Sequence, residues 1–255
     1  MIKNFIALII SIIIVHFAYV GYVRPEANNV IETAEQQSQS TPREFVVIIK
    51  DYEQEICFIL MFWGCFMILS NYKTILGTKY IFTLDLIKEL EDEENKSEQA
   101  KPDVDLLIEN IDKKLPKDCL NTPLIQTVRS SLLRYSVTKN VQNLSDAIES
   151  NLENIAIRYD SENTMIRYLI WAIPSIGFIG TVRGIGQALS LADEALAGDI
   201  SGMTDSLGVA FNSTFVALLI SIFMMFLFHQ LQRLQDSQIL DTQEYCEKFI
   251  INRIR

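Results

Sequence analysis

Residues 174–189 read PSIGFIGTVRGIGQAL. The stretch lies inside an apolar run from about Leu169 to Leu191, yet it contains a proline, four glycines, a threonine and an arginine. Crossing a membrane asks only for roughly 20 apolar residues. The small and polar residues must therefore serve packing or chemistry.

Three further apolar runs flank it. Ile2–Val23 carries only Lys3 and His16 as chargeable residues. ICFILMFWGCFMIL (Ile56–Leu69) reaches spanning length by continuing to about Leu76, with Lys73 reaching for the headgroups along its own stem. The last runs from about Leu207 to Leu231. Four transmembrane helices are expected. The first could instead be a signal peptide, but VGYVRPEA offers no A-x-A cleavage site, and a retained helix is the preferred reading.

The chain has 255 residues, 49% of them hydrophobic, and a net charge of −10. Such acidity excludes a nucleic-acid binder, which would show a basic face. Cys57, Cys65, Cys119 and Cys246 have no metal-type spacing and read as reduced, structural residues. His16 and His229 fall in different spans. His229 could relay protons, but the simpler reading is an interfacial imidazole turned toward water. No catalytic constellation, metal site or cofactor is expected, and the chain is not read as an enzyme.

Charge sets the orientation. Residues 24–55 hold three basic residues (Arg24, Arg43, Lys50) against seven acidic ones, and the connection between the last two spans has no Lys or Arg. The segment from Lys79 to Arg167 and the C-terminal tail carry basic residues throughout. By the positive-inside rule both termini and the central segment are cytoplasmic. The expected fold is all-α. It has transmembrane helix 1 (1–23), an outer loop (24–55), transmembrane helix 2 (56–76), a helical cytoplasmic domain (77–168), transmembrane helix 3 (169–192), a short outer loop (193–206), transmembrane helix 4 (207–231) and a cytoplasmic tail (232–255).

Within the cytoplasmic part, ELEDEENKSEQAKPD (89–103) has no apolar period and reads as a charged linker. DVDLLIENIDKKL is an amphipathic helix, Pro116 and Pro123 mark a turn, and TPLIQTVRSSLLRYSV resumes helical spacing. From an N-cap at Ser145, Ile148, Leu152, Ile155 and Tyr159 recur at steps of three and four. No Pro or Gly follows until Pro174, so one long helix is expected to run from the cytoplasm into the third span.

Pro174 removes a helix hydrogen bond and should kink that span. Gly180 and Gly184 have the spacing that lets two helix backbones approach closely. At 100° per residue Pro174, Gly177, Thr181 and Gly184 share one face, with Arg183 on the other side. In the fourth span Ala210, Thr214, Ala217 and Ser221 share a face. Two such stripes, small and hydroxyl-bearing, could line a hydrated ion path. Alternatively the threonines bond to their own i−4 carbonyls.

PSIGFIGTVRGI, followed after a short loop by TDSLGVAFNSTFVALLISI, resembles the MotA/TolQ/ExbB proton-channel (stator) family over roughly residues 165–232. The resemblance implies a channel subunit of a stator or energy-transducing motor in a bacterial inner membrane. Such a motor converts proton- or sodium-motive force into rotation or force. It also implies a homo-oligomer, a pentamer around a dimer of a MotB/TolR/ExbD-like single-span partner that carries a membrane aspartate. Carried over by motif, Thr181 and Thr214 face the ion path and Pro174 is the conformational-coupling proline; Ser221, Ala210 and Gly177, which share the threonines' helix faces, are expected to line the path with them. Two departures stand out: the glutamate many members carry near the start of the last helix is missing, Asp205 being nine residues before Thr214, and Arg183 takes a position usually apolar or aromatic. A charge there needs a partner, and Asp193, Glu194, Asp199 or a neighbouring subunit are the expected ones. The rival readings are a non-conducting membrane scaffold and, within the family, a flagellar-type or defence-type stator.

Overall fold

The computed structural model describes residues 2–36, 44–83, 104–115 and 117–254. The acidic linker 89–103 and the turn proline Pro116 lie outside the described residues. Among the described residues every regular element is helical, and the fold is all-α.

Helix α1 (Ile2–Ala18) continues through a π-helical turn (Tyr19–Val23) into α2 (Arg24–Gln36). The one-turn helix α3 (Phe45–Ile48) precedes α4 (Tyr52–Thr78). Then come α5 (Val104–Lys114), α6 (Lys117–Leu120), α7 (Pro123–Thr138), α8 (Val141–Ser190), the short α9 (Ala192–Leu196), α10 (Ser201–Cys246) and α11 (Asn252–Ile254). Among the described residues four helices are long and apolar enough to cross a membrane: the continuous α1–α2 helix, α4, α8 and α10. The second begins at Tyr52, one turn ahead of the apolar run at Ile56, and so takes in the polar residues Glu53, Gln54 and Glu55.

Local chemistry explains the boundaries. Pro123 opens α7, where its missing N–H costs nothing. Lys139, in the left-handed region (φ 50°), closes it, its N–H donating to Tyr135 O at 2.7 Å. The long helix then starts earlier than the expected cap at Ser145. Asn140 is the cap, its Oδ1 accepting the Gln142 N–H at 2.8 Å. As expected, α8 runs unbroken from there and passes through Pro174. Between α9 and α10 the chain turns at Gly198 (φ +106°), a conformation other residues resist.

The helices form two compact units. One comprises Met1–Ser70 and Thr164–His229, the other Asn71–Asn163 and Gln230–Arg255. In the second, Ile111, Leu124, Ile125, Leu132, Leu144 and Ile250 form a dry core. Beside it Asn163 Nδ2 donates to Gln235 Oε1 at 2.7 Å, with the reverse amide contact at 3.4 Å. Tyr159 donates its hydroxyl to Gln238 Oε1, and the Gln238 amide donates to Thr78 Oγ1 at 3.2 Å.

In the first unit, α8 and α10 pack antiparallel. Gly184 meets Ser206 and Ala210, Gly180 meets Ser213, and Gly177 meets Ala217. Ile166, Leu169 and Ile173 on α8 and Ala210, Ala217 and Met224 on α10 are buried. Phe178, Ile179 and Val182 on α8, and Phe211, Phe215 and Phe226 on α10, point outward. An outer surface of large apolar side chains suits lipid or a neighbouring subunit.

Candidate functional site

The glycines decide how closely α8 and α10 approach. A Cβ on Gly177 would lie 2.5 Å from Ala217 Cβ, and one on Gly180 2.5 Å from Ser213 Cβ. On Gly184 it would lie 2.7 Å from both Ala210 N and Ser206 O. Nothing larger than hydrogen fits at any of the three, so the expected packing role extends from Gly180 and Gly184 to Gly177.

That proximity brings the two threonines together. Thr181 and Thr214 share a hydroxyl–hydroxyl hydrogen bond, and both are half-buried. Thr181 Oγ1 also lies 3.0 Å from Ala210 O and 3.3 Å from its own i−4 carbonyl, Gly177 O. Thr214 Oγ1 lies 3.2 Å from Gly177 O. Bonding across the interface therefore outweighs bonding back to the parent helix. Each hydroxyl has one proton. Either Thr181 donates to Ala210 O while Thr214 donates to Thr181, or Thr214 donates to Gly177 O while Thr181 donates to Thr214. Only hydroxyl rotation separates these two patterns.

The other residues of the stripes are placed differently. Gly177, Ala210 and Ser221 are all buried between the helices. Pro174 has no N–H for the carbonyl four residues back, Ile170 O. Ser221 Oγ donates to that carbonyl at 3.0 Å. The hydroxyl expected in the path thus satisfies the acceptor that the proline leaves open.

Arg183 has a partner different from those its sequence position suggested. Its Nε and Nη2 donate to Glu53 Oε1 and Oε2 at 2.7 and 2.8 Å, a two-pronged pair with the first turn of α4. Asp199 instead caps α10, accepting the Ser201 N–H at 3.1 Å. The residues after Glu53 reach other helices. Gln54 Nε2 donates to Ile48 O at 3.1 Å and to Ser213 Oγ at 3.4 Å. Glu55 takes His16 Nδ1 at 2.8 Å and Arg24 Nη2. Three consecutive residues of α4 therefore tie it to α8, α10 and the α1–α2 helix. All three are buried. Buried carboxylates require such pairing.

Residues 119–244 match the sequence profile of the MotA/TolQ/ExbB proton channel family. Over that stretch, 126 of its 255 residues, the chain is similar to this family. No curated protein and no solved structure matches it. With four helices among the described residues able to span a bilayer, the chain is a multi-pass membrane protein. Pro174, the threonine pair, Arg183 and Ser221 lie within the family match, whereas Glu53, Gln54 and Glu55 lie outside it. No motif signals these three residues; the only sequence cue is an acidic cluster immediately ahead of an apolar run.

Proposed function

We propose that this protein is the ion-conducting subunit of an inner-membrane stator, passing protons between α8 and α10 to drive rotation or force on a single-span partner. The threonine pair carries the reading. It is a half-buried hydroxyl couple at a helix interface, with alternative proton arrangements. The family match supports the same conclusion. The titrating carboxylate belongs to the partner, a MotB/TolR/ExbD-like protein with a membrane aspartate, and this chain surrounds a dimer of it as a pentamer. Both termini and residues 77–168 face the cytoplasm, following the distribution of basic residues.

The test is proton uptake by vesicles holding this protein and the single-span protein purified with it. Thr181→Val and Thr214→Val keep side-chain shape and remove the hydroxyl. Each should lower uptake about tenfold, the effect of losing roughly 1.4 kcal/mol, with the complex still assembled. Unchanged uptake in both variants overturns the pathway. A wild-type complex that assembles but passes neither protons nor sodium supports a scaffold instead.

A further inference from the structure

Arg183 is the residue of the PSIGFIGTVRGI stretch that neither packing nor the channel reading uses. Its surroundings give it a role. The carboxylate of Glu53 engages both its Nε and Nη2. The stem of Glu53 lies against α8 beside Gly180, where an added Cβ would sit 3.2 Å from Glu53 Cγ. Gly180 precedes Thr181. Gln54, the next residue of α4, bonds Ser213, and Ser213 precedes Thr214. Residues 53 and 54 therefore back directly onto both helices of the threonine pair.

Stability is a poor reason for this arrangement. An ion pair with one partly exposed member, as Arg183 is here, contributes little to stability, because solvent screening and the desolvation of Glu53 offset the attraction. Charge balance is a better one. Glu55 is already engaged by His16 and Arg24, and Asp51 by Lys50 at 3.3 Å, so Glu53 is the acid that answers Arg183. Without it, a guanidinium would stand uncompensated one layer behind the threonines. Fields between charges are screened less beside a partly buried site than in bulk water.

We propose that Glu53 determines the charge selectivity of the ion route: its carboxylate cancels Arg183 behind the Thr181–Thr214 pair and keeps the route open to cations. The proposal rests on the channel reading and adds to it a residue of α4, outside the two helices that hold the threonines.

The experiment uses the complex taken from its own membranes by a tag on this chain and reconstituted in phosphatidylethanolamine–phosphatidylglycerol vesicles. Proton and sodium uptake are driven by a potassium diffusion potential, and assembly is followed by size exclusion. Glu53→Gln keeps the shape and a hydrogen bond to Arg183 but leaves the positive charge. It should lower cation uptake at least about tenfold. The double variant Glu53→Gln/Arg183→Gln removes both charges and should recover to within about threefold of wild type. Arg183→Lys keeps the charge balance but loses the two-pronged geometry; it should also stay within about threefold.

A mere mechanical clamp predicts the opposite for Arg183→Lys, so loss of uptake in that variant overturns the proposal. Wild-type uptake in Glu53→Gln, or a double variant no better than the single, overturns it too. If Glu53→Gln fails to assemble, the double variant and Arg183→Lys decide by the same criteria. A wild-type complex silent to both ions refutes the channel reading itself, a result distinct from all of these.

Discussion

Ser221 and Pro174 form a pair whose coupling can be measured directly. Ser221→Ala deletes the hydroxyl that donates to Ile170 O at 3.0 Å. Ile170 and Ser221 are both buried, so water cannot replace the bond. A buried carbonyl left without a donor costs about 1–3 kcal/mol, while interhelical hydrogen bonds in membranes average about 0.6 and reach about 1.7. Ser221→Ala should therefore cost about 1.5 kcal/mol. In a Pro174→Ala background the backbone N–H restored at position 174 donates to the same carbonyl within the helix. Removing Ser221 then takes away only a second bond, worth about 0.5 kcal/mol. The coupling is about 1 kcal/mol, roughly a fivefold change in equilibrium constant. Unfolding of the purified protein and its three variants in mixed micelles, titrated with dodecyl sulfate, gives the four free energies. Equal costs of Ser221→Ala in the two backgrounds would show that Ser221 does not serve the carbonyl left open by Pro174.

The glycines supply a paired prediction. Gly184→Ala drives a Cβ to within 2.7 Å of backbone atoms on α10 and should destabilise by about 1–3 kcal/mol in the same titration. Gly186→Ala, two residues on, meets nothing within 4 Å and should be neutral or stabilise by up to about 1 kcal/mol. High pH should loosen the second unit. Burial, helped by Glu247, pushes the Cys246 thiol from 9.0 to about 12, and burial pushes the Tyr159 phenol from 10.0 to about 12. Raised values favour the neutral form in the folded state, so this stability is complete below pH 9 and is lost as pH climbs toward 12. The melting temperature should fall over that window, and fall less steeply in Cys246→Ala. An identical slope in the variant would count against the burial argument.

Much of the site was legible because helical geometry is local. Four apolar runs, a 3.6-residue period and two small-residue faces are enough to place Thr181 and Thr214 on stripes that can meet. The stripes also grouped Ser221 with the threonines, and here periodicity reaches its limit. It fixes a direction around a helix but not what lies at that depth on the neighbour. Ser221 sits two turns beyond Thr214, level with the proline rather than with Thr181. Glu53 was illegible for another reason. It is 130 residues from Arg183 in the chain, and DYEQE looks like the end of an exposed loop because its acids lower local hydropathy. Only the packing of α4 turns those acids inward. The cap at Asn140 was missed because the first turn of α8, VQNL, has little apolar period of its own.

The reciprocal amide contact of Asn163 and Gln235 limits how α8 and α10 can shift past each other. Sliding α10 by one helical turn, about 5.4 Å, would bring Leu231 or Ile239 opposite Asn163. Each amide would then lose its complement in a buried place. The contact works like an indexing pin. It opposes ratcheting along the helix axes at this level, since any such step would strand two buried amides at once.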